Sequence, residues 1–130
     1  MDQASSIEKP RHLLLVDDEE NVLNALVRVL RRDGYTLYTA TSVAQAFEIL
    51  AMHPIEVILS DQRMPEQNGT VFLSNVKRDY PTTVRLMLSG YTEVGAVTEA
   101  INEGSIYKFL TKPWDDGQLR ANIREAFHRF

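Results

Sequence analysis

Apolar residues occur along the chain in five short runs, each followed by a segment with helical spacing. The runs have the length of β-strands, and the first is continuous from Leu13 to Val16, as expected for a strand that is buried on both faces. The five runs lie at residues 13–16, 35–40, 55–59, 84–88 and 106–110. The five helical patterns are predicted to bury Val22, Leu23, Leu26, Val29 and Leu30; Val43, Ala46, Phe47 and Leu50; Phe72, Leu73 and Val76; Val94, Val97 and Ile101; and Leu119, Ile123, Phe127 and Phe130.

Capping and breaking residues mark where these helices begin and end. Ser42 with Gln45, and Asp115 with Gln118, stand three residues apart just before an apolar helical pattern, which is the spacing of a capping box. Helix ends are predicted at Gly34, Pro54, Pro81 and Gly104.

Five successive strand–helix units predict an α/β fold with a parallel sheet and helices on both faces. The common five-stranded form is the flavodoxin-like, doubly wound sheet of order 2-1-3-4-5, here with five helices. We expect one domain from residue 11 to residue 130, preceded by a flexible tail at residues 1–10.

Composition excludes several kinds of site. The 130 residues contain no cysteine, which excludes disulfides, zinc–thiolate sites and thiol catalysis. No stretch approaches the roughly 18 apolar residues of a membrane-spanning helix, and the first residues do not form a signal peptide. The net charge of −4 gives no general attraction to nucleic acid, so we expect neither a nucleic-acid partner nor a membrane. We expect the reducing cytoplasm as the location.

Polar residues follow four of the predicted strands at their carboxyl ends. Asp17 and Asp18 follow the first strand, Asp61 the third, Ser89 the fourth and Lys112 the fifth. Ligands of open parallel sheets bind beyond these strand ends, where the strand order reverses. Any one of these residues alone could be a helix cap or a turn residue. Their placement at four strand ends instead predicts one shared site.

The predicted site combines three carboxylates, a hydroxyl and an ammonium. Three adjacent carboxylates repel one another, and a hard divalent cation such as Mg²⁺ removes that repulsion. A carboxylate beside Mg²⁺ and a lysine can act as a nucleophile toward a phosphoryl group. We therefore expect Asp61 to accept a phosphoryl group, with Lys112 and Ser89 binding its oxygens.

Four segments resemble the receiver domains of bacterial response regulators, and the resemblance covers about residues 11–130. The segments are LLLVDDEENVLNAL, VILSDQRMPEQNGTVFL, RLMLSGYT and FLTKPWD. The motifs SDQRMP and YKFLTKPWDD are similar to those of receivers that precede cyclic-di-GMP phosphodiesterase domains of the HD-GYP type. The resemblance implies a signalling switch of a two-component system, an aspartyl-phosphate phosphoprotein rather than an enzyme with a separate substrate.

The resemblance implies a role for each matching residue. Asp61 matches the phosphoacceptor, Asp18 a direct Mg²⁺ ligand and Asp17 its neighbour that often acts through water. The backbone carbonyl of Arg63 would complete the metal shell. Ser89 matches the switch hydroxyl, and Lys112, whose bond to the following proline is expected to be cis, matches the lysine of the family.

Phe109 matches the switch aromatic of the family, three residues before the lysine. The segment before it is one residue longer than in many receivers, so Tyr107 is the other candidate for this role. The implied partners are a sensor histidine kinase or phosphotransfer protein, and an output domain or effector. A homodimer through the fourth helix, fifth strand and fifth helix is also implied, with pairs formed among Glu93, Glu99, Lys108, Asp116 and Arg120.

Three other functions compete with the switch. A phosphatase of the haloacid-dehalogenase type also uses an aspartate and Mg²⁺, but it carries Asp-x-Asp after its first strand. A receiver that signals without phosphorylation is expected to lack carboxylates or the lysine. A flavodoxin-like cofactor binder needs a phosphate-binding loop rich in glycine, serine or threonine after the first strand.

Overall fold

The computed structural model of the chain describes residues 11–90, 101 and 103–130. The strands are β1 (His12–Val16), β2 (Thr36–Ala40), β3 (Val57–Asp61), β4 (Val84–Ser89) and β5 (Lys108–Thr111). The α-helices are α1 (Glu20–Leu30), α2 (Val43–Met52), α3 (Gly69–Asp79) and α4 (Asp116–Arg129), and a 3₁₀ turn (Arg31–Asp33) follows α1. No helix within these described ranges is long and apolar enough to cross a membrane.

The sheet is parallel throughout, and its strand order is β2-β1-β3-β4-β5. This confirms the predicted flavodoxin-like order 2-1-3-4-5. The described residues contain four α-helices rather than the predicted five. The predicted helix with Val94 and Val97 lies outside the described residues, except for Ile101, which is helical. The predicted tail at residues 1–10 also lies outside them.

Both faces of the sheet are covered by helices, because adjacent residues of each apolar strand point to opposite sides. On one side, Leu14 and Met87 belong to a core that includes residues of α2 and α3. On the other, Leu15 and Leu88 belong to a core that includes residues of α1 and α4. The sheet is therefore doubly wound, as predicted.

The predicted caps of α2 and α4 are present. The Ser42 side chain accepts a hydrogen bond from Gln45 N, and Asp115 accepts one from Gln118 N. The reciprocal bond of Gln45 differs from the prediction, because its Oε1 accepts from Thr41 N at 2.7 Å.

The prediction for Phe130 was wrong. Helical periodicity placed its side chain in the core with Phe127, but α4 ends at Arg129 and Phe130 is 57% exposed. Its N still donates to Ala126 O at 3.2 Å, so the backbone follows the helix to this residue while the ring stays exposed to solvent.

Candidate functional site

The five candidate residues lie at one edge of the sheet, because each stands at or directly after the carboxyl end of a strand. Asp61 is the last residue of β3 and Ser89 the last of β4. Backbone bonds continue past the strands: Asp17 N donates to Ala40 O at 3.1 Å, and Lys112 N donates to Ser89 O at 3.0 Å. The main chain therefore fixes the groups before any side-chain contact forms.

Lys112 makes ion pairs with two buried carboxylates. Its Nζ lies 2.8 Å from Asp61 Oδ1 and 3.4 Å from Asp17 Oδ2. Asp17 is fully buried, and only 5% of Asp61 is exposed. The bond between Lys112 and Pro113 is cis, as expected. Residues 95 positions apart in the sequence are thus in direct contact.

Burial governs the electrostatics of this cluster. Burial raises the pKa of Asp17, opposed by a hydrogen bond from Glu19 N and reinforced by the charge of Asp61. Burial likewise raises the pKa of Asp61, opposed by Lys112 and reinforced by Asp18. Burial alone would lower the pKa of Lys112, but its contacts with the two carboxylates raise it above the ordinary lysine value. One cation is thus shared between two buried acids.

Three consecutive carboxylates form a cluster directly after β1. The ligand atoms of Asp17, Asp18 and Glu19 all lie within 4.8 Å of one another, and the last two residues are exposed. Sequence reasoning found the two aspartates but did not name Glu19. The run of acidic residues itself was the available signal. Arg63 is exposed and lines a shallow pocket of about 410 Å³ together with Asp18.

The amino end of α3 packs directly against the end of β3. A Cβ atom added at Gly69 would lie 2.5 Å from Asp61 O and 2.9 Å from Met87 Cε. Gly69 N donates to Gln62 O at 2.8 Å, and the buried Gln62 side chain accepts from Thr70 N at 3.1 Å. Sequence reasoning missed both Gln62 and Gly69. The pair Asn68-Gly69 before a helical pattern was the available signal.

The two aromatic candidates have different surroundings. Phe109 pairs with Met87 of β4 in the sheet register and packs, half-buried, against the core on the α3 side. Tyr107 precedes β5, and its hydroxyl donates to Glu125 Oε1 at 2.7 Å on α4. Phe109 therefore lies on the strand next to the one that ends in Ser89, and Tyr107 is held by the last helix.

Comparison with known proteins decides the family. Residues 13–124 match the family model described as the response regulator receiver domain. The chain belongs to this family. It is therefore a receiver domain of two-component phosphorelay systems, a family in which phosphorylation of an aspartate and binding of Mg²⁺ are general properties.

Relatives and solved structures agree with this assignment. The hydrogenase transcriptional regulatory protein HoxA of Bradyrhizobium diazoefficiens is 39% identical over 114 residues, which are 88% of this chain and 23% of that protein. A signal receiver domain of an HD domain-containing protein from Pseudomonas fluorescens Pf-5 has a TM-score of 0.88 at 35% identity, covering 95% of this chain and 91% of that one. The beryllofluoride-activated NtrC4 receiver domain dimer has a TM-score of 0.83 at 31% identity, covering 90% and 96%.

The chain spans about a quarter of the length of the curated relatives it matches first. Their names describe much longer proteins, so the likeness concerns the receiver alone.

The residues of this receiver domain fit the Mg²⁺ that the family binds. Its acidic cluster offers only carboxylate oxygens, the hard ligands that Mg²⁺ prefers. Two of the three carboxylates are exposed, so waters and a phosphoryl oxygen can complete the shell. The buried carboxylate of Asp17 already accepts a hydrogen bond from Glu19 N at 2.9 Å, which holds it in place.

Proposed function

We propose that this receiver domain is a phosphorylation-dependent switch and that Asp61 is its phosphoacceptor. The supporting observation is the 2.8 Å contact between Lys112 Nζ and the buried Asp61 Oδ1 at the carboxyl edge of the sheet. A buried carboxylate held by a cation cannot turn away, so its second oxygen keeps a defined direction for attack.

The donor is a phosphohistidine of a sensor kinase or phosphotransfer protein. An oxygen of Asp61 attacks phosphorus, a P–O bond forms as the P–N bond to histidine breaks, and the imidazole leaves with the bonding pair. Lys112 stabilises the negative charge of the transferring group. Asp17, Asp18, Asp61 and the carbonyl of Arg63 would hold Mg²⁺, which would supply positive charge to neutralise that of the phosphoryl group.

The phosphoryl group then changes the partner-binding surface. Ser89 moves to donate to a phosphoryl oxygen, and Phe109 turns into the space it leaves. The surface formed by the helix predicted to contain Val94, Val97 and Ile101, by β5 and by α4 thereby changes its preferred partner. This domain turns over no separate substrate, and its chemistry is limited to its own phosphorylation and dephosphorylation.

The output is an attached domain or a separate effector. The similar Pseudomonas receiver belongs to an HD domain-containing protein, and HoxA is a transcriptional regulatory protein. Together with the HD-GYP-like motif, the Pseudomonas protein favours a cyclic-di-GMP phosphodiesterase as the controlled activity.

The test is phosphorylation by acetyl phosphate, followed by intact mass. With Mg²⁺, we expect one added phosphoryl group per chain. The adduct is expected to be absent in Asp61→Asn and when Mg²⁺ is removed by a chelator. Asp79→Asn, a change at an exposed aspartate on α3, is the matched control and should be phosphorylated like the unchanged protein. No adduct, together with no response to beryllofluoride, would leave a binding module that signals without phosphorylation.

A further inference from the structure

The turn that leads into β5 is hydrogen-bonded to neighbouring elements at the amino ends of the strands, whereas Asp61 lies at their carboxyl ends. Ile101 is helical, and Gly104 N donates to its carbonyl at 3.0 Å. Gly104 has φ +80°, the left-handed conformation that commonly ends a helix. The carbonyls of residues 103–105 therefore lie in the turn that connects Ile101 to β5.

Two cations from neighbouring elements donate to these carbonyls. Arg85 of β4 donates from Nε to Ser105 O at 2.8 Å and from Nη2 to Gly104 O at 3.1 Å. Lys77 of α3 donates from Nζ to Glu103 O at 3.1 Å. Three successive carbonyls of the turn are thus each bound by a positive side chain.

The third guanidinium nitrogen of Arg85 binds a carbonyl in a different segment of the chain. Its Nη1 donates to Thr83 O at 2.8 Å, in the loop before β4. Within the described ranges, the acceptors of this guanidinium are backbone carbonyls, and no carboxylate lies within ion-pair distance of it. The planar fork of arginine can serve several carbonyls at once, which a lysine in the same place could not do.

Further contacts close the same region. Ser105 is 5% exposed, and its hydroxyl lies 3.0 Å from that of Ser74 on α3. Tyr107 N donates to the carbonyl of Arg85 at 2.7 Å. The start of β5 is therefore fixed to both β4 and α3.

We propose that Arg85 and Lys77 are positioning residues that pin the start of β5, so that the response to phosphorylation is confined to the other end of the strand. β4 carries Arg85 near one end and Ser89 at the other, and Phe109 lies on β5 between the pinned turn and Lys112. With one end fixed, a rotation of Phe109 cannot be absorbed by sliding of β5 along β4. This inference rests on the proposed switch function.

Hydrogen exchange with peptide-level mass spectrometry tests the proposal on the full chain, with and without beryllofluoride and Mg²⁺. In the unchanged protein, we expect exchange at residues 103–107 to stay within twofold between the two states, while residues 108–112 change at least fivefold. In Arg85→Met, exchange at residues 103–107 should rise at least fivefold without beryllofluoride. The beryllofluoride-dependent change at residues 108–112 should fall to half or less.

Two variants keep the test decisive. Lys77→Met removes an exposed cation that a folded domain can lose, and it should raise exchange at residues 103–107 at least twofold even if Arg85→Met fails to fold. Arg78→Met is the matched control, because Arg78 pairs with its neighbour Asp79 at 3.1 Å, and exchange at the turn should not change.

Two results would overturn this proposal. In the first, exchange at residues 103–107 responds to beryllofluoride as strongly as exchange at residues 108–112. In the second, Arg85→Met and Lys77→Met both exchange like the unchanged protein. Failure of the switch itself has a different signature. In that case no segment of the unchanged protein responds to beryllofluoride, yet the two variants still report on the turn.

Discussion

At the scale of single residues, the charge balance of the site depends on Lys112. Asp17 and Asp61 are both buried, and this lysine lies within 3.4 Å of each of them. Removing one member of a buried ion pair leaves the remaining charge without compensation, which costs more than the pair itself contributes. The site is therefore stable as a carboxylate cluster only while the ammonium, or a metal ion, is present.

Lys112→Met should lower the free energy of unfolding at pH 7 by about 1–3 kcal/mol, because two buried carboxylates lose their cation. The pKa of each of these carboxyls is already raised by burial and would rise further. As pH falls through these raised values, the carboxyls take up protons in the folded state, and the difference from the unchanged protein should shrink. Urea unfolding at a series of pH values measures this.

Lys108→Met is the control for that experiment. Lys108 is on the same strand but pairs with Glu125 at 3.4 Å, where both side chains are about half exposed. Such exposed pairs contribute little to the free energy of unfolding, so the stability of Lys108→Met should equal that of the unchanged protein at every pH. An equal and pH-independent loss in both variants would show that Lys112 acts through packing alone.

At the scale of secondary-structure elements, the position of α3 decides how the phosphoacceptor strand ends. Asn68 accepts a hydrogen bond from Val71 N at 2.9 Å and begins the helix, and Gly69 brings its first turn against the carbonyl of Asp61. Only a residue without a Cβ fits there, because the nearest atom belongs to the backbone of β3. The helix and the phosphoacceptor strand therefore cannot be moved independently.

Gly69→Ala should destabilise the domain by about 1–3 kcal/mol, the usual cost of forcing an extra methyl group into a packed site. It should also slow phosphorylation by acetyl phosphate at least tenfold, since a small displacement of a reacting group has a large effect on rate. Thermal unfolding and intact mass against time measure the two effects.

Gly117→Ala is the matched control for this substitution. Gly117 lies in the first turn of α4, where an added Cβ would come no closer than 3.4 Å, to Asp115 Oδ2. Alanine in a helix is favoured over glycine, so stability should rise by up to about 1 kcal/mol. Normal phosphorylation of Gly69→Ala would refute the link between α3 and Asp61.

At the scale of the whole molecule, the charged residues described on the surface expected to form dimers already have internal partners. Lys108 pairs with Glu125, Arg120 Nη2 lies 2.8 Å from Asp33 Oδ1, and Asp116 accepts a hydrogen bond from Trp114. The other two residues expected to form intermolecular pairs, Glu93 and Glu99, lie outside the described residues. A dimer through this surface would have to exchange internal partners for external ones.

The homodimer predicted from the sequence implies that beryllofluoride with Mg²⁺ shifts the domain toward a dimer. Glu125→Gln should strengthen the shift severalfold, because it frees Lys108 for a partner chain. Sedimentation velocity over a range of concentrations measures the association, with Glu48→Gln on α2 as the control. An activated protein that stays monomeric at every concentration would contradict the predicted dimer.

Much of this fold and site follows from the sequence, for local reasons. Continuous apolar runs require strands that are buried on both faces, and alternation of strands with helices requires a parallel sheet. Parallel strands end at one edge, so Asp17, Asp61, Ser89 and Lys112 had to lie near one another once the strand order was fixed. Caps such as Ser42 and Asp115 depend on three residues and were equally predictable.

Only the tertiary structure decided contacts that depend on distance in space rather than along the chain. Arg85 reads in sequence as one polar residue in a strand, and its carbonyl partners in the turn before β5 are about 20 residues away. The internal partners of Lys108 and Arg120 come from α4 and from the turn after α1. The helical spacing that predicted a buried Phe130 could not show that no described neighbouring element covers its side chain, which is 57% exposed. The spacing of apolar residues in a sequence predicts whether a segment is a helix or a strand. Which side chains of two elements come into contact depends on how the elements pack in three dimensions.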